Sequence, residues 1–186
     1  MFIRQVKYSK DNLGYLVYSA SEGLAIDAGG VEDILFFAEK NGIRIKYVSN
    51  THSHQDHTPG NPALLKRTDA RFIDCRQIHS DQVLKLDQEV LNIIPTPGHT
   101  RGHVVFLYRN KFLFTGDHLA WSPNRQTLTA FRSVAWYSWP EQIRSMEKLL
   151  AYEFEWVLPG HGDMHHADQQ TLHDELERCV SWMKTK

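Results

Sequence analysis

The sequence predicts a layered α/β fold in a single domain spanning residues 1–186. Two observations carry that expectation. β-Branched runs of strand length alternate with amphipathic stretches of helical period. The strand-like runs end repeatedly in glycine- or proline-containing turns that bear histidine or aspartate, at His52, His99, Asp117 and His161. Size and composition agree: 186 residues suit one domain with a substantial core, and 41% hydrophobic with 23% charged residues is a globular balance.

Taken in order, Tyr15 to Ile26 holds β-rich pieces closed by the turn Asp27-Ala28-Gly29-Gly30. Val31 to Asn41 places Ile34, Leu35, Phe37 and Ala38 at helical spacing, and Gly42 ends the helix. Ile43 to Val48 alternates and is β-branched, so it reads as a strand. Pro62 to Arg67 begins a short helix, and Phe72 to Cys75 reads as a short strand. Val90 to Ile94 is a strand that runs into the stiff turn Pro95 to His103. Val104 to Tyr108 and Phe112 to Thr115 bracket Arg109-Asn110-Lys111 as a hairpin. Leu119 to Trp139 has little regular period and is rich in aromatic residues. Ser138-Trp139-Pro140-Glu141 resembles a capping box with proline at the first helical position. Its helix carries Ile143, Met146, Leu149 and Leu150 on one face. Trp156 to Leu158 is a short strand, Asp168 is an N-cap, and Leu172, Leu176, Val180 and Met183 stripe a last helix.

Several function classes are excluded by these patterns. Net charge is −1 and no basic block stands out, so neither nucleic acid nor an anionic membrane surface is an expected partner. No apolar run is long enough to span a bilayer. Met1 to Lys7 has no apolar core of a secretory signal, which predicts a cytoplasmic protein. Cys75 and Cys179 are expected to be free buried thiols.

Histidine is the unusual residue, with 11 copies. His52-Ser53-His54-Gln55-Asp56-His57 packs three imidazoles and a carboxylate into six residues. In extended chain His52 and His54 project to the same side and can share one ion. Asp56 and His57 begin the next turn and can face a second position. Imidazole suits zinc and iron, and a carboxylate can bridge two ions. His103 is expected to hydrogen-bond within the core, and His165 and His166 to lie on a surface loop. Asp27 is expected to stabilise a turn or to orient a ligand histidine. The aromatic segment after Asp117 has two readings, a satellite core or a substrate wall. His118, Trp121 and Trp136 are its candidate substrate contacts; His118 directly follows Asp117, so its side chain is expected to point elsewhere and a structural role is its first reading.

These motifs resemble the metallo-β-lactamase superfamily, whose first motif His-x-His-x-Asp-His is matched in full at 52–57. Pro97-Gly98-His99-Thr100-Arg101-Gly102-His103, Thr115-Gly116-Asp117 and Pro159-Gly160-His161-Gly162 are similar to the later motifs and follow in family order. Leu24 to Gly29 is similar to the family's first hairpin and turn. The resemblance implies a four-layer αββα sandwich with metals at one edge of two sheets. It implies His52, His54 and His99 on one ion, Asp56, His57 and His161 on another, and Asp117 between them. Pro59 departs from the pattern, since the family often has a glycine there.

The implied cofactors are two divalent ions, zinc first, with iron or manganese as the alternatives. Two dications about 3.5–4 Å apart lower the pKa of a shared water toward about 7, and Asp56 is the candidate to orient it. The implied activity is hydrolysis of a small thioester, ester or lactone. The alternatives are a mononuclear-iron oxidoreductase resembling persulfide dioxygenases, and a phosphodiesterase of the same superfamily. Glyoxalase II enzymes share these motifs and bind glutathione through a helical C-terminal region. Only one helix follows His161 here, so glutathione recognition is not expected.

Overall fold

Alternation along the strands sorts the apolar side chains into three layers. Leu13, Tyr15 and Val17 face one way from their strand and Leu16 the other; Val104, Phe106 and Tyr108 oppose Val105 and Leu107 in the same manner. The computed structural model describes residues 2–186; Met1, the first residue of the expected leaderless N-terminus, lies outside them. A five-stranded sheet runs in the order β1 (Ile3–Tyr8), β2 (Asn12–Tyr18), β3 (Glu22–Ile26), β4 (Arg44–Ser49), β5 (Arg71–Ile73). A six-stranded sheet runs β13 (His165–His166), β12 (Trp156–Pro159), β9 (Phe112–Gly116), β8 (Val104–Tyr108), β7 (Glu89–Pro95), β6 (Gln82–Leu86).

The first layer of core lies between the sheets, where Tyr15, Leu24 and Ile26 meet Leu91, Phe106 and Phe114. Tyr15 and Phe114 pack edge to face at 5.1 Å. The second layer packs α1 (Val31–Lys40) and α2 (Asn61–Arg67) on the outer face of the first sheet through Ile34, Ala38 and Leu64. The third packs α3 (Trp139–Leu149) and α4 (Gln169–Lys184) on the other sheet through Met146, Leu149, Leu172, Leu176 and Met183. Each fully buried leucine or methionine contributes roughly 1.5–3 kcal/mol. The expected αββα sandwich is therefore observed.

Strand direction decides where the functional turns emerge. β2 is antiparallel to both β1 and β3, and β4 is parallel to β3, so β1, β3 and β4 all end on one edge. β8 is antiparallel to both β7 and β9, and β12 is parallel to β9, so those three also end together. An isolated bridge from Asn12 to His161 ties the two edges to each other.

Some details differ from the sequence reading. β1, β6 and β13 were not foreseen. The aperiodic aromatic stretch contains a small hairpin, β10 (Ala120–Ser122) with β11 (Thr127–Thr129), and a 3-10 turn at Arg132–Val134. The expected capping box is half made. Ser138 Oγ accepts from the Glu141 N–H at 3.3 Å, but the Ser138 N–H already donates to the Gly98 carbonyl, and Glu141 pairs with Arg144. Trp139 opens that helix, and Pro140 is second. Asp168 caps α4 as expected, accepting from the Thr171 N–H at 2.9 Å. Cys75 and Cys179 are free and buried. Among the described residues, no helix is long and apolar enough to cross a membrane.

Candidate metal centre

The turns at the shared edge bring the seven expected ligands together in two sets. His52, His54, His99 and Asp117 form one, and Asp56, His57 and His161 form the other. In the first set the ring nitrogens form a tight triangle. His52 Nε2 is 2.9 Å from His54 Nδ1, and His99 Nε2 is 3.2 and 3.1 Å from those two atoms. Asp117 stands between the sets. Its Oδ2 lies 3.8 Å from His52 Nε2 and 3.6 Å from His99 Nε2. Its Oδ1 lies 3.2 Å from His57 Nε2 and 3.6 Å from His161 Nε2. Asp56 Oδ2 joins the second set, 3.5 Å from His57 Nε2 and 3.3 Å from His161 Nε2.

The donor set fits a cation. Imidazole nitrogens about 2.0–2.1 Å from a shared tetrahedral ion stand about 3.3 Å apart, close to the triangle observed. The tautomers point the same way. His99 Nδ1 donates to the Val134 carbonyl at 2.6 Å, leaving Nε2 as a lone pair. His57 Nδ1 donates to Asp27 Oδ2 at 3.1 Å, and its Nε2 is buried without a hydrogen-bond partner. Asp117 Oδ1, 3.2 Å from that nitrogen, is likewise buried and makes no well-aligned hydrogen bond. Orphaned buried groups of this kind are costly, and a bound cation satisfies both at once.

Electrostatics mark the second set as a seat for positive charge. Burial opposes a charge on His57, but the Asp27 and Asp117 carboxylates outweigh it and raise its pKa to about 10. Burial also opposes the charge on Asp117, yet the histidines around it, His57 first, hold its carboxyl below the usual range. His52 is driven the other way, by burial and by neighbouring imidazoles, and stays neutral.

A supporting set of residues fixes these ligands. Asp27 ends β3 and accepts from the Thr51 N–H at 2.8 Å, the Thr51 hydroxyl at 2.7 Å and His57. It orients His57, one of the expected ligands. Asn12 Nδ2 donates to Asp56 Oδ2 at 3.2 Å, and the Tyr8 hydroxyl donates to the Asp56 carbonyl at 2.8 Å. Asp11 Oδ1 lies 3.3 Å from His161 Nδ1. Tyr8, Asp11, Asn12 and the Val134 carbonyl were missed by sequence reasoning, because they act from remote turns and one through its backbone. His103 is buried, bonded to the Thr96 hydroxyl at 2.9 Å and stacked on His52, in keeping with its expected core role.

Two glycines answer close approaches. A Cβ on Gly160 would lie 2.5 Å from His57 Cε1 and 2.8 Å from Asp117 Oδ1. A Cβ on Gly60 would meet the Ala28 carbonyl oxygen at 1.7 Å, whereas Pro59 is exposed. The tight packing at this turn therefore falls on residue 60, where glycine is retained, and Pro59 disturbs nothing.

A cavity of roughly 450 Å³ opens beside the ligands, bounded by Asp117 and His161 on one side and by Leu119, Trp121, Phe131 and Val134 on the other. The aromatic segment is thus both wall and core, since Leu119, Leu128 and Ala130 pack into the third apolar layer. Trp136 is 68% exposed and leans on His54 at 4.5 Å and His99 at 5.7 Å. His118 takes its structural reading, and its candidacy as a substrate contact is corrected. It is fully buried against His103 with both ring nitrogens unpartnered, and it does not line the cavity. His165 and His166 are a second correction. They form β13, with His165 stacked on Trp121 and His166 on Trp156.

Residues 13–79 match the family model described as Metallo-beta-lactamase superfamily. A hydroxyacylglutathione hydrolase from Pelagibacter ubique is 32% identical over 133 residues, covering 64% of this chain and 56% of its own. The chain spans about half the length of the curated relatives it matches. Among solved structures, ETHE1 from Myxococcus xanthus is similar with a TM-score of 0.74 at 20% identity, over 99% of this chain and 90% of its own. A metallo-beta-lactamase from Pontibacter korlensis gives 0.75 at 16% identity, over 99% and 100%. At such identities the structural likeness shows the fold alone.

Proposed function

We propose that this chain, whose residues 13–79 match the Metallo-beta-lactamase superfamily model and whose four-layer fold is similar to solved members, is a metal-dependent hydrolase of a small thioester, ester or lactone. The observation that carries this reading is the division of Asp117, whose two oxygens address separate nitrogen sets. His52, His54 and His99 would hold one divalent ion, and Asp56, His57 and His161 the other, with Asp117 shared. Zinc suits this donor set, and iron or manganese can take the same ligands. Two such ions, when bound, would acidify water and polarise the scissile carbonyl.

The chain's own groups complete the reaction. Asp56, half-exposed and steered by Asn12, is placed to orient the attacking water and take up its proton. The acyl carbon gains the hydroxide, the bond to sulfur or oxygen breaks, and the leaving group takes a proton. Trp136 and the cavity wall shield the ligands from bulk water. The hydroxyacylglutathione hydrolase relatives support a thioester, and accordingly a small-molecule substrate.

The test joins metal analysis of the purified chain to a hydrolysis panel of thioesters, lactones and phosphodiesters. Two metals per chain with thioester or lactone turnover are expected. His54→Ala and Asp117→Ala are expected to abolish turnover and keep the far-UV spectrum. Wild-type rates in either variant would overturn the assignment. So would dioxygen uptake with a thiol persulfide by protein holding a single iron.

A further inference from the structure

The cavity wall opposite the ligands has a built support. Trp121 lines the cavity, and the His165 imidazole lies flat against its ring, with centroids 3.7 Å apart and planes 11° from parallel. His165 Nε2 in turn reaches Glu175 Oε2 at 3.2 Å. Glu175 projects from α4 and is 5% exposed, a carboxyl placed among the apolar side chains of that helix. Such a buried carboxyl is costly unless it is paired, and His165 is its hydrogen-bonding partner. β13 delivers His165 to this place through its pairing with Val157. None of these three residues belongs to the metal-ligand sets.

The chemistry of the cavity is lopsided. Its wall is apolar along Leu119, Trp121, Phe131 and Val134, its other side carries the expected ligands Asp117 and His161 with Asp11 3.3 Å from His161 Nδ1, and no lysine or arginine lines it. A substrate carboxylate against the apolar wall, away from the ions that Asp117 and His161 would hold, would be desolvated with no lysine or arginine to receive it. An apolar or aromatic group meets a flat indole instead. The volume of roughly 450 Å³ lies within the range of small-ligand sites, about 300–1,000 Å³.

We propose that this cavity selects an uncharged, apolar or aromatic substituent next to the scissile bond. Trp121 is its specificity-determining wall, and His165, clamped by Glu175, is the positioning residue that holds the indole flat. The inference rests on the hydrolase reading for its kinetic test, and a binding test stands apart from that reading.

The kinetic test compares phenylacetyl, acetyl and succinyl thioesters of one neutral thiol. The wild-type protein is expected to favour the phenylacetyl substrate and to use the anionic succinyl one least. Trp121→Ala should raise KM for the phenylacetyl substrate about tenfold or more, with a smaller effect on kcat and little on the acetyl substrate. His165→Ala and Glu175→Leu should shift the same KM in the same direction with metal content unchanged. Glu175→Gln, which keeps an acceptor for His165, should restore it. A merely structural role for the pair would depress all three substrates alike and would overturn the positioning claim. A wild-type preference for the succinyl substrate would overturn the cavity claim.

The binding test uses the metal-free protein and the neutral, non-hydrolysable thioether that matches the phenylacetyl substrate, followed by calorimetry. Binding that is lost in Trp121→Ala supports the cavity claim even if no thioester is turned over, and in that case only the hydrolase reading fails. Absence of binding to the wild-type protein overturns the cavity claim whatever the hydrolysis panel shows.

Discussion

At the scale of single residues, the site depends on groups that hold no ligand position. Gly160 has no room for a methyl group, because its absent Cβ would press on His57 and Asp117. Gly160→Ala is therefore expected to lower metal affinity at least tenfold and leave the circular dichroism spectrum intact, as a competition titration with a chromogenic chelator would read. Unchanged affinity would mean that the placement of those two side chains does not set binding. Asp27 acts through hydrogen bonds to Thr51 and His57. Asp27→Asn keeps its size and removes the charge that fixes the His57 tautomer, so a loss of about 10–100-fold in metal affinity is expected in the same titration. Four of the seven expected ligands were legible because six consecutive positions hold them, and His99, Asp117 and His161 because glycine- or proline-containing turns at strand ends carry them. Val134 was not, because a backbone carbonyl that receives His99 Nδ1–H has no side-chain signature. His118 follows Asp117 directly, and from that the sequence favoured a structural role over a substrate contact; the turn closed by its N–H on the Thr115 carbonyl buries it.

At the scale of elements, legibility followed burial. β8 and β9 are buried nearly along their whole length, and their apolar runs predicted both. β6 is largely exposed, β1 is an edge strand with buried residues three apart, and β13 is two residues long. Such strands form because a neighbour offers backbone partners, and their side chains carry little period of their own. Stability should follow the same division. Leu176, fully buried between α4 and the second sheet, is expected to cost about 2–5 kcal/mol on change to alanine. Val83 on β6 is 61% exposed, and Val83→Thr should stay within about 0.5 kcal/mol. Urea unfolding of both variants checks the pair; equal losses would contradict the layering.

At the scale of the whole molecule, the three apolar layers are continuous without the ligand cluster, which lies at one edge. Removal of metal by a chelator should therefore abolish hydrolysis and keep the far-UV spectrum and a cooperative melt. Holo protein at a thousandfold excess over Kd gains about 4 kcal/mol, so Tm should fall by about 10 °C on stripping. Collapse of the helical signal would show instead that the ions hold the sandwich together. The sandwich itself was legible through the motif resemblance. Strand order and the meeting of two sheet edges were not, because they depend on pairings between residues as distant as Asn12 and His161.

That distance has a consequence for how the molecule is made. Synthesis proceeds from the N-terminus, so His52, His54, Asp56 and His57 emerge while His99, Asp117 and His161 are still unmade. The first donor set is complete only after the Asp117 turn that follows β9, and the second only after β12 takes its place beside β9 and brings His161. An ion captured earlier would meet few donors and leave readily, so loading of the second set belongs to the last stage of folding. Metal supplied after release should serve as well as metal supplied during translation.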